Sequence, residues 1–236
     1  MKFETIYSLG SRCQNSEILK HYGFREFSGF FDFMNTAKIE NILHILKDDF
    51  KELLKPENNF SIICNQTTYE PETGIPLHSS VRTSNKYYNE DYTGVHSAIF
   101  PHHDLNSEKD RKHFETCYKR FKNLINFNVL FNYTFNSWEN NITTKDMETM
   151  VETMINVHGF KTFKICFIRL KFGNNNEYKL IHDEEKYNLW ELTISPNSFT
   201  GGRFLNTKDN ENYIEIIKNN GICDSRITKE KIDDYE

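Results

Sequence analysis

The chain has 236 residues, with 29 Lys and Arg against 34 Asp and Glu, a net charge of -5 and a hydrophobic fraction of 37%. That length allows one substantial core or two small ones, and the negative balance excludes general nucleic-acid affinity, which needs a basic surface. The low apolar fraction is partly offset by a 14% aromatic share, mostly Phe and Tyr, because aromatic rings bury large areas.

No stretch approaches the ~18–20 apolar residues of a membrane-spanning helix, so no membrane partner is expected. Met1-Lys2-Phe3-Glu4 leads directly into a strand and lacks a signal-peptide core. Cys13, Cys64, Cys117, Cys166 and Cys223 are scattered without a C-x-x-C pair, which predicts reduced thiols, a cytoplasmic setting and no metal site.

In chain order, the apolar run 6–9 reads as a strand, Gly10 breaks it, and 13–22 takes helical spacing with Ile18, Leu19 and Tyr22 on one face. Residues 23–36 form an aromatic loop punctuated by Gly23 and Gly29, in which Asp32 lies between two phenylalanines and must be paired if buried. Thr36 is placed to cap one helix over 37–54, whose apolar stripe is core. A short strand at 60–64 precedes a long polar insertion, 65–93, and a strand candidate at 95–101 ends in His102-His103-Asp104. A helix over 107–125, a strand over 129–135 and a helix over 144–157 follow, then strands at 162–170 and 189–194. Asp209 is placed to cap a last helix ending at 218, and the charged tail 224–236 is expected to fray. The alternation predicts a single α/β domain over 1–223, with a mainly parallel sheet flanked by helices.

A strand entering a tight turn and then a helix presents that turn at the carboxyl edge of the sheet, where open α/β sheets bind ligands. Cys13 falls in the first turn of that helix, where free N–H groups and the macrodipole lower a thiol pKa. The alternative reading is a buried cysteine acting as a small hydrophobe. A thiolate nucleophile wants an imidazole and a group to orient it. His103 is the base candidate and His102 the fallback, with Asp32 or Asp104 as the orienting carboxylate. Gly10, Ser11, Arg12 and Gln14 make up the oxyanion and substrate side, through backbone N–H groups and the Gln14 amide. Asp104 could instead cap the following helix, and Gln14 could simply be exposed.

Ser8-Leu9-Gly10-Ser11-Arg12-Cys13-Gln14, Gly29-Phe30-Phe31-Asp32-Phe33, Tyr87-Tyr88-Asn89-Glu90 and Phe100-Pro101-His102-His103-Asp104-Leu105, with 114–121 after them, resemble a family from bacteria and large DNA viruses labelled papain-like cysteine peptidases. The resemblance covers most of 5–135 and, more loosely, 202–217. Cys13 matches the family's cysteine, Asp32 the aspartate of its Pro-Phe-Asp-Trp motif, and His102 and His103 its paired histidines. Phe30 stands where the family has proline and Phe33 where it has tryptophan. If the chain is viral, its location would be the host cytoplasm or the virion.

A papain-type cysteine begins a long helix without a tight turn from a parallel strand. The turn at 10–14 looks more like the first block of SGNH-type hydrolases and acyltransferases, or the opening of capsule-biosynthesis proteins that bind coenzyme A. Three readings follow. The first is a cysteine-dependent hydrolase acting on an acyl or peptide bond. The second is an acyltransferase modifying a glycan, for which coenzyme A is the implied cofactor and Arg12, Arg25 and Arg203 would meet its phosphates. The third is a binding module with no catalysis. The expected partner is a small-molecule, glycan or peptide substrate.

Overall fold

The computed structural model describes residues 2–10, 12–35, 38–63, 81–86, 88, 99–100, 103–138, 141–199, 203–222 and 226–235, without the side chains of 62, 63, 81 and 82. Strand β1 (Thr5–Ser8) leads to helix α1 (Gln14–His21), a 3-10 turn at Phe30–Phe33, and helices α2 (Ile39–Lys47) and α3 (Lys51–Leu54). Strands β2 (Asn59–Ile63) and β3 (Val81–Asn85) form an antiparallel pair, followed by α4 (Glu108–Asn123), β4 (Val129–Asn136) and α5 (Thr144–Asn156). Strands β5 (Phe163–Phe172), β6 (Tyr178–Asp183) and β7 (Tyr187–Ile194) precede α6 (Thr207–Asn219) and α7 (Lys229–Asp233).

The main sheet has five strands in the order β1-β4-β5-β7-β6. The first three pairings are parallel, and β6 closes the edge antiparallel to β7. This is a single α/β domain. The period-2 alternation of the strands divides the core into two layers. Tyr7, Leu9, Phe131, Tyr133, Ile165 and Phe167 pack with α2, α4, α5 and α7 on one face. Ile6, Leu130, Cys166, Ile168, Leu192 and Ile194 pack with α1 and α6 on the other.

Four elements depart from the expectation, each for a physical reason. The helix expected over 37–54 is interrupted because Asp49 and Phe50 take left-handed backbone angles, φ 54° and 62°. That conformation is costly for a bulky residue. Here it seats the Phe50 ring among Phe30, Phe31, Tyr118 and Phe121, at centroid distances of 4.7, 5.4, 5.3 and 5.1 Å. The insertion expected over 65–93 contains β3, which has no apolar alternation because it is held by backbone pairing to β2 and by a two-bond bridge from Thr83 to Phe100. Strand β6 is a mostly exposed edge and so also lacks a buried stripe. The last helix is capped by Asn206, whose side chain accepts from Lys208 N–H, and not by Asp209, which is buried and accepts from Ser195 N–H.

The tail expected to fray is instead packed. Ile227 and Ile232 are buried, and Ile227 N–H donates to Glu4 O at 3.0 Å. Asp233 forms a two-pronged ion pair with Arg120, with Nη2 to Oδ2 at 2.8 Å. The Thr36 cap, the strand residues at 95–98 and 101, and the free thiols expected at Cys64 and Cys223 lie outside the described residues.

His158 ties the α5–β5 connection to α2. Its Nε2 lies 2.8 Å from Leu46 O; a carbonyl only accepts, so Nε2 carries the proton of the neutral ring. Burial, followed by the Lys122 charge, pushes this imidazole down to about 4. The ordinary value of 6.5 lies above that, so between pH 6.5 and 4 the unfolded chain binds a proton that the folded chain refuses. The stability tied to the neutral ring is present above this window and is lost as pH falls through it, by up to ~3 kcal/mol. His158→Gln is expected to flatten the loss of stability between pH 7 and 4.5 in urea titrations. An unchanged pH profile in the variant would remove His158 as its cause.

Candidate active site

The candidate site begins where β1 ends. Leu9 N–H still donates to Asn132 O on β4 at 2.8 Å, and the chain then turns at Gly10, whose φ of +88° favours a residue without Cβ. Cys13 stands immediately before α1, with its carbonyl accepting the first helical bond from Glu17 N–H at 3.0 Å. A buried polar network holds the turn. Asn15 Nδ2 donates to Gly10 O at 3.0 Å, and the Tyr213 hydroxyl of α6 lies 3.0 Å from Asn15 Oδ1, 2.6 Å from Asn132 Oδ1 and 3.1 Å from Thr134 Oγ1.

Cys13 is half-buried, whereas Cys117 and Cys166 are fully buried. Its thiol is not lowered as the helix-terminus argument predicts. Burial, followed by the Glu17 carboxylate one turn on, pushes it above the ordinary value of 9.0, against the pull of the local backbone N–H and Arg12. One turn of macrodipole does not overcome desolvation plus a like-signed neighbour. Gln14 is 3% exposed rather than on the surface, and its Nε2 is buried without a hydrogen-bond partner among the described residues. Such a donor forfeits its desolvation energy unless something occupies it. Arg12 lies over the Phe199 ring at 5.5 Å, and Phe199 meets Trp138, which stacks on Phe172 at 3.9 Å. Trp138 and Phe172 are 41% and 46% exposed, so an aromatic and cationic surface borders the turn along the carboxyl ends of β4, β5 and β7. Ser11 lies outside the described residues.

His103 is half-buried, with Nδ1 3.5 Å from Asp110 Oδ1, and its ring packs on Phe33 at 4.8 Å and on His113 at 5.9 Å. Its carboxylate partner is thus neither Asp32 nor Asp104. Asp32 Oδ2 accepts from Gly29 N–H at 2.8 Å and from Arg25 Nη1 at 3.0 Å. Burial raises Asp32 to about 6, with Arg25 and the Gly29 N–H pulling down. Asp104 accepts from the Ser61 hydroxyl at 2.6 Å, facing the β2–β3 pair. Asp110 was missed because Ser107-x-x-Asp110 reads as a helix cap; the Ser107 cap is present, yet the Asp110 carboxylate reaches back to Asp104 N–H at 2.8 Å and so sits beside His103.

Cys13 and His103 meet the same short segment. The Ser16 hydroxyl is 3.0 Å from both Cys13 O and Asp32 O, and His103 packs on Phe33, the next residue. No described hydrogen bond joins the two side chains, and His102 lies outside the described residues. Among the described residues, no group of three His, Cys, Asp or Glu is arranged to hold a metal ion, and no helix is long and apolar enough to cross a membrane. Arg25 and Arg203 line two different cavities, the second shared with His21 and Tyr22.

Cys13 is expected to react with iodoacetamide before Cys117 and Cys166, slowly at pH 7 and faster as pH rises beyond 9. Glu17→Gln removes a like charge and should speed alkylation at pH 8 by roughly twofold. Peptide mass spectrometry at several pH values checks both; a Cys13 that reacts at pH 7 faster than free cysteine would contradict the raised thiol.

No match to the chain was found among curated proteins or among solved structures. A family described as "Putative papain-like cysteine peptidase" (DUF1796) matches residues 4–189, and those residues carry β1, the Gly10 turn, Cys13, Asp32, His103 and the sheet as far as the start of β7. The chain belongs to that family.

Proposed function

We propose that the protein is a cysteine-dependent hydrolase that cleaves an acyl or peptide bond through Cys13. The observation that carries this reading is an accessible thiol at the strand-to-helix turn, next in sequence to a buried amide donor without a partner, Gln14 Nε2. The family description supports a peptide substrate. The exposed Trp138 and Phe172 rings, with the half-buried Phe199 ring under Arg12, support an apolar group flanking the bond that is cut.

The raised thiol defines the chemistry. Cys13 rests protonated, so a base must take its proton as sulfur attacks the carbonyl carbon. The His102–His103 pair supplies this base, with Asp110 stabilising the imidazolium if His103 is the one that acts. The carbonyl oxygen gains the negative charge, received by the Gln14 amide and by backbone N–H groups of the turn that precedes α1, with Ser11 and Arg12 as the proposed donors. Collapse expels the amine or alcohol, which leaves with the proton held by the imidazole. Water then cleaves the thioester and restores the thiol.

A panel of acylated peptide amides and nitrophenyl esters tests this. Intact mass should show an acyl adduct that disappears in Cys13→Ala, and Gln14→Ala should lower kcat by about 10²-fold with little change in KM. His102→Ala and His103→Ala, assayed separately, identify the base by loss of the lower limb of the pH–rate profile. Full turnover in Cys13→Ala would sink the proposal.

A further inference from the structure

A second site lies away from the aromatic surface. The C-terminal helix α7, α4, α1 and the loop leading to the 3-10 turn enclose a cavity of about 390 Å³ lined by Lys20, Arg25, Glu26, Phe27, Ser28, His113, Arg120 and Lys229. Four of these groups are permanent cations, in a chain whose net charge is -5.

The ion pairs around the cavity divide the charges into two sets. Arg120, whose side chain is 8% exposed, is neutralised by Asp233, and its remaining Nη1 donates to Ser28 O at 3.3 Å. Arg25 is paired through Nη1 to Asp32, and Glu26 faces Arg226 at 3.4 Å. Among the described residues, Lys20 and Lys229 have no carboxylate within ion-pair distance. Both ammonium groups are therefore without a direct ion pair, although the Lys229 charge acts at longer range on Glu230 and Asp233. Arg25 Nε and Nη2 have no acceptor among the described residues, and the Ser28 hydroxyl is likewise without a described bond. The His113 imidazole, which burial holds below its ordinary value, is neutral at pH 7 and completes the wall.

We propose that this cavity binds a phosphate group of charge about -2. The two unpaired ammonium groups match that charge, and Arg25 with Ser28 supplies directed donors to its oxygens. Arg25, whose side chain is 12% exposed, is screened less than the two exposed lysines and anchors the site. The group would come either from free inorganic phosphate or from a phosphomonoester on a small molecule. Phosphate binding is read without turnover at Cys13, so failure of either proposal leaves the other standing, although His113 of this wall packs on His103.

Isothermal titration with inorganic phosphate, with chloride holding ionic strength constant, should show saturable binding to one site per chain. Lys20→Gln/Lys229→Gln should weaken it about tenfold or more, with an unchanged Tm in phosphate-free buffer because both side chains are exposed. Lys229→Glu alone is a second variant should the double variant not fold, and it should weaken binding at least as much as removal of one charge. Glycerol 3-phosphate separates the sources: equal or tighter binding assigns a phosphomonoester, and exclusion assigns the free anion. No saturable phosphate binding by the native protein, or unchanged affinity in the lysine variants, overturns the proposal.

Discussion

The arrangement around Cys13 depends on one buried hydroxyl. Tyr213 stands on α6, yet its oxygen lies within hydrogen-bonding distance of Asn15 on α1 and of Asn132 and Thr134 on β4. Asn15 in turn donates to Gly10 O. The network joins the helix that follows the turn, the strand beside it and the helix that covers both. Each polar atom would carry a desolvation cost if left unmet, so the partners lock each other into one geometry. Burial drives the Tyr213 hydroxyl far above its ordinary pKa, which keeps it a neutral donor and acceptor throughout the pH range in which the protein folds.

On the opposite face, aromatic packing does the corresponding work. Tyr7 on β1 accepts from Phe30 N–H at 2.7 Å, and its ring lies so close to Gly29 that a Cβ there would come within 2.8 Å. Glycine is needed because β1 and the 3-10 turn touch backbone to ring. Phe30 and Phe31 then pack on Phe50, whose left-handed backbone is the local cost of filling that centre. The next residues, Asp32 and Phe33, emerge towards the Ser16 hydroxyl and the His103 ring. The segment at 29–33 therefore links the cysteine turn and the histidine segment through the same rigid core.

Features carried by local chemistry were legible in the sequence. The strand at 6–9, the Gly10 turn, the cysteine at a helix start and the periodic helices α4, α5 and α6 follow from spacing and capping residues that act within a few positions. Features settled by distant partners were not. Strands β3 and β6 owe their conformation to backbone pairing across the sheet, and α7 owes its order to Arg120, more than a hundred residues earlier. Ile125 and Ile155, which the apolar spacing of helices over 107–125 and 144–157 would turn inward, are each 41% exposed because helical phase alone does not fix where a stripe's edge falls. The partner of His103 was hidden for the same kind of reason: Asp110 fits a capping pattern so well that its second neighbour has no local signature.

The raised Cys13 thiol changes what the turn can do. A thiolate formed in advance would be reactive towards any electrophile or oxidant, whereas a protonated thiol is nearly inert. With burial and Glu17 both favouring the proton, the proposed reaction is conditional on a base reaching the sulfur together with a carbonyl. The Gln14 amide, whose Nε2 has no partner among the described residues, carries the same logic in the proposed reaction, where an arriving oxygen would satisfy its donor. In the proposed reaction an oxyanion formed beside the sulfur would take the Gln14 amide hydrogen bond, a gain absent from the resting state, while the thiol gives up a favoured proton to imidazole. Interactions that improve only as the reaction proceeds lower the barrier without tightening the ground state. A helix start whose Gln14 amide was bonded to its own chain would lack that differential, even with the same residues in the same order.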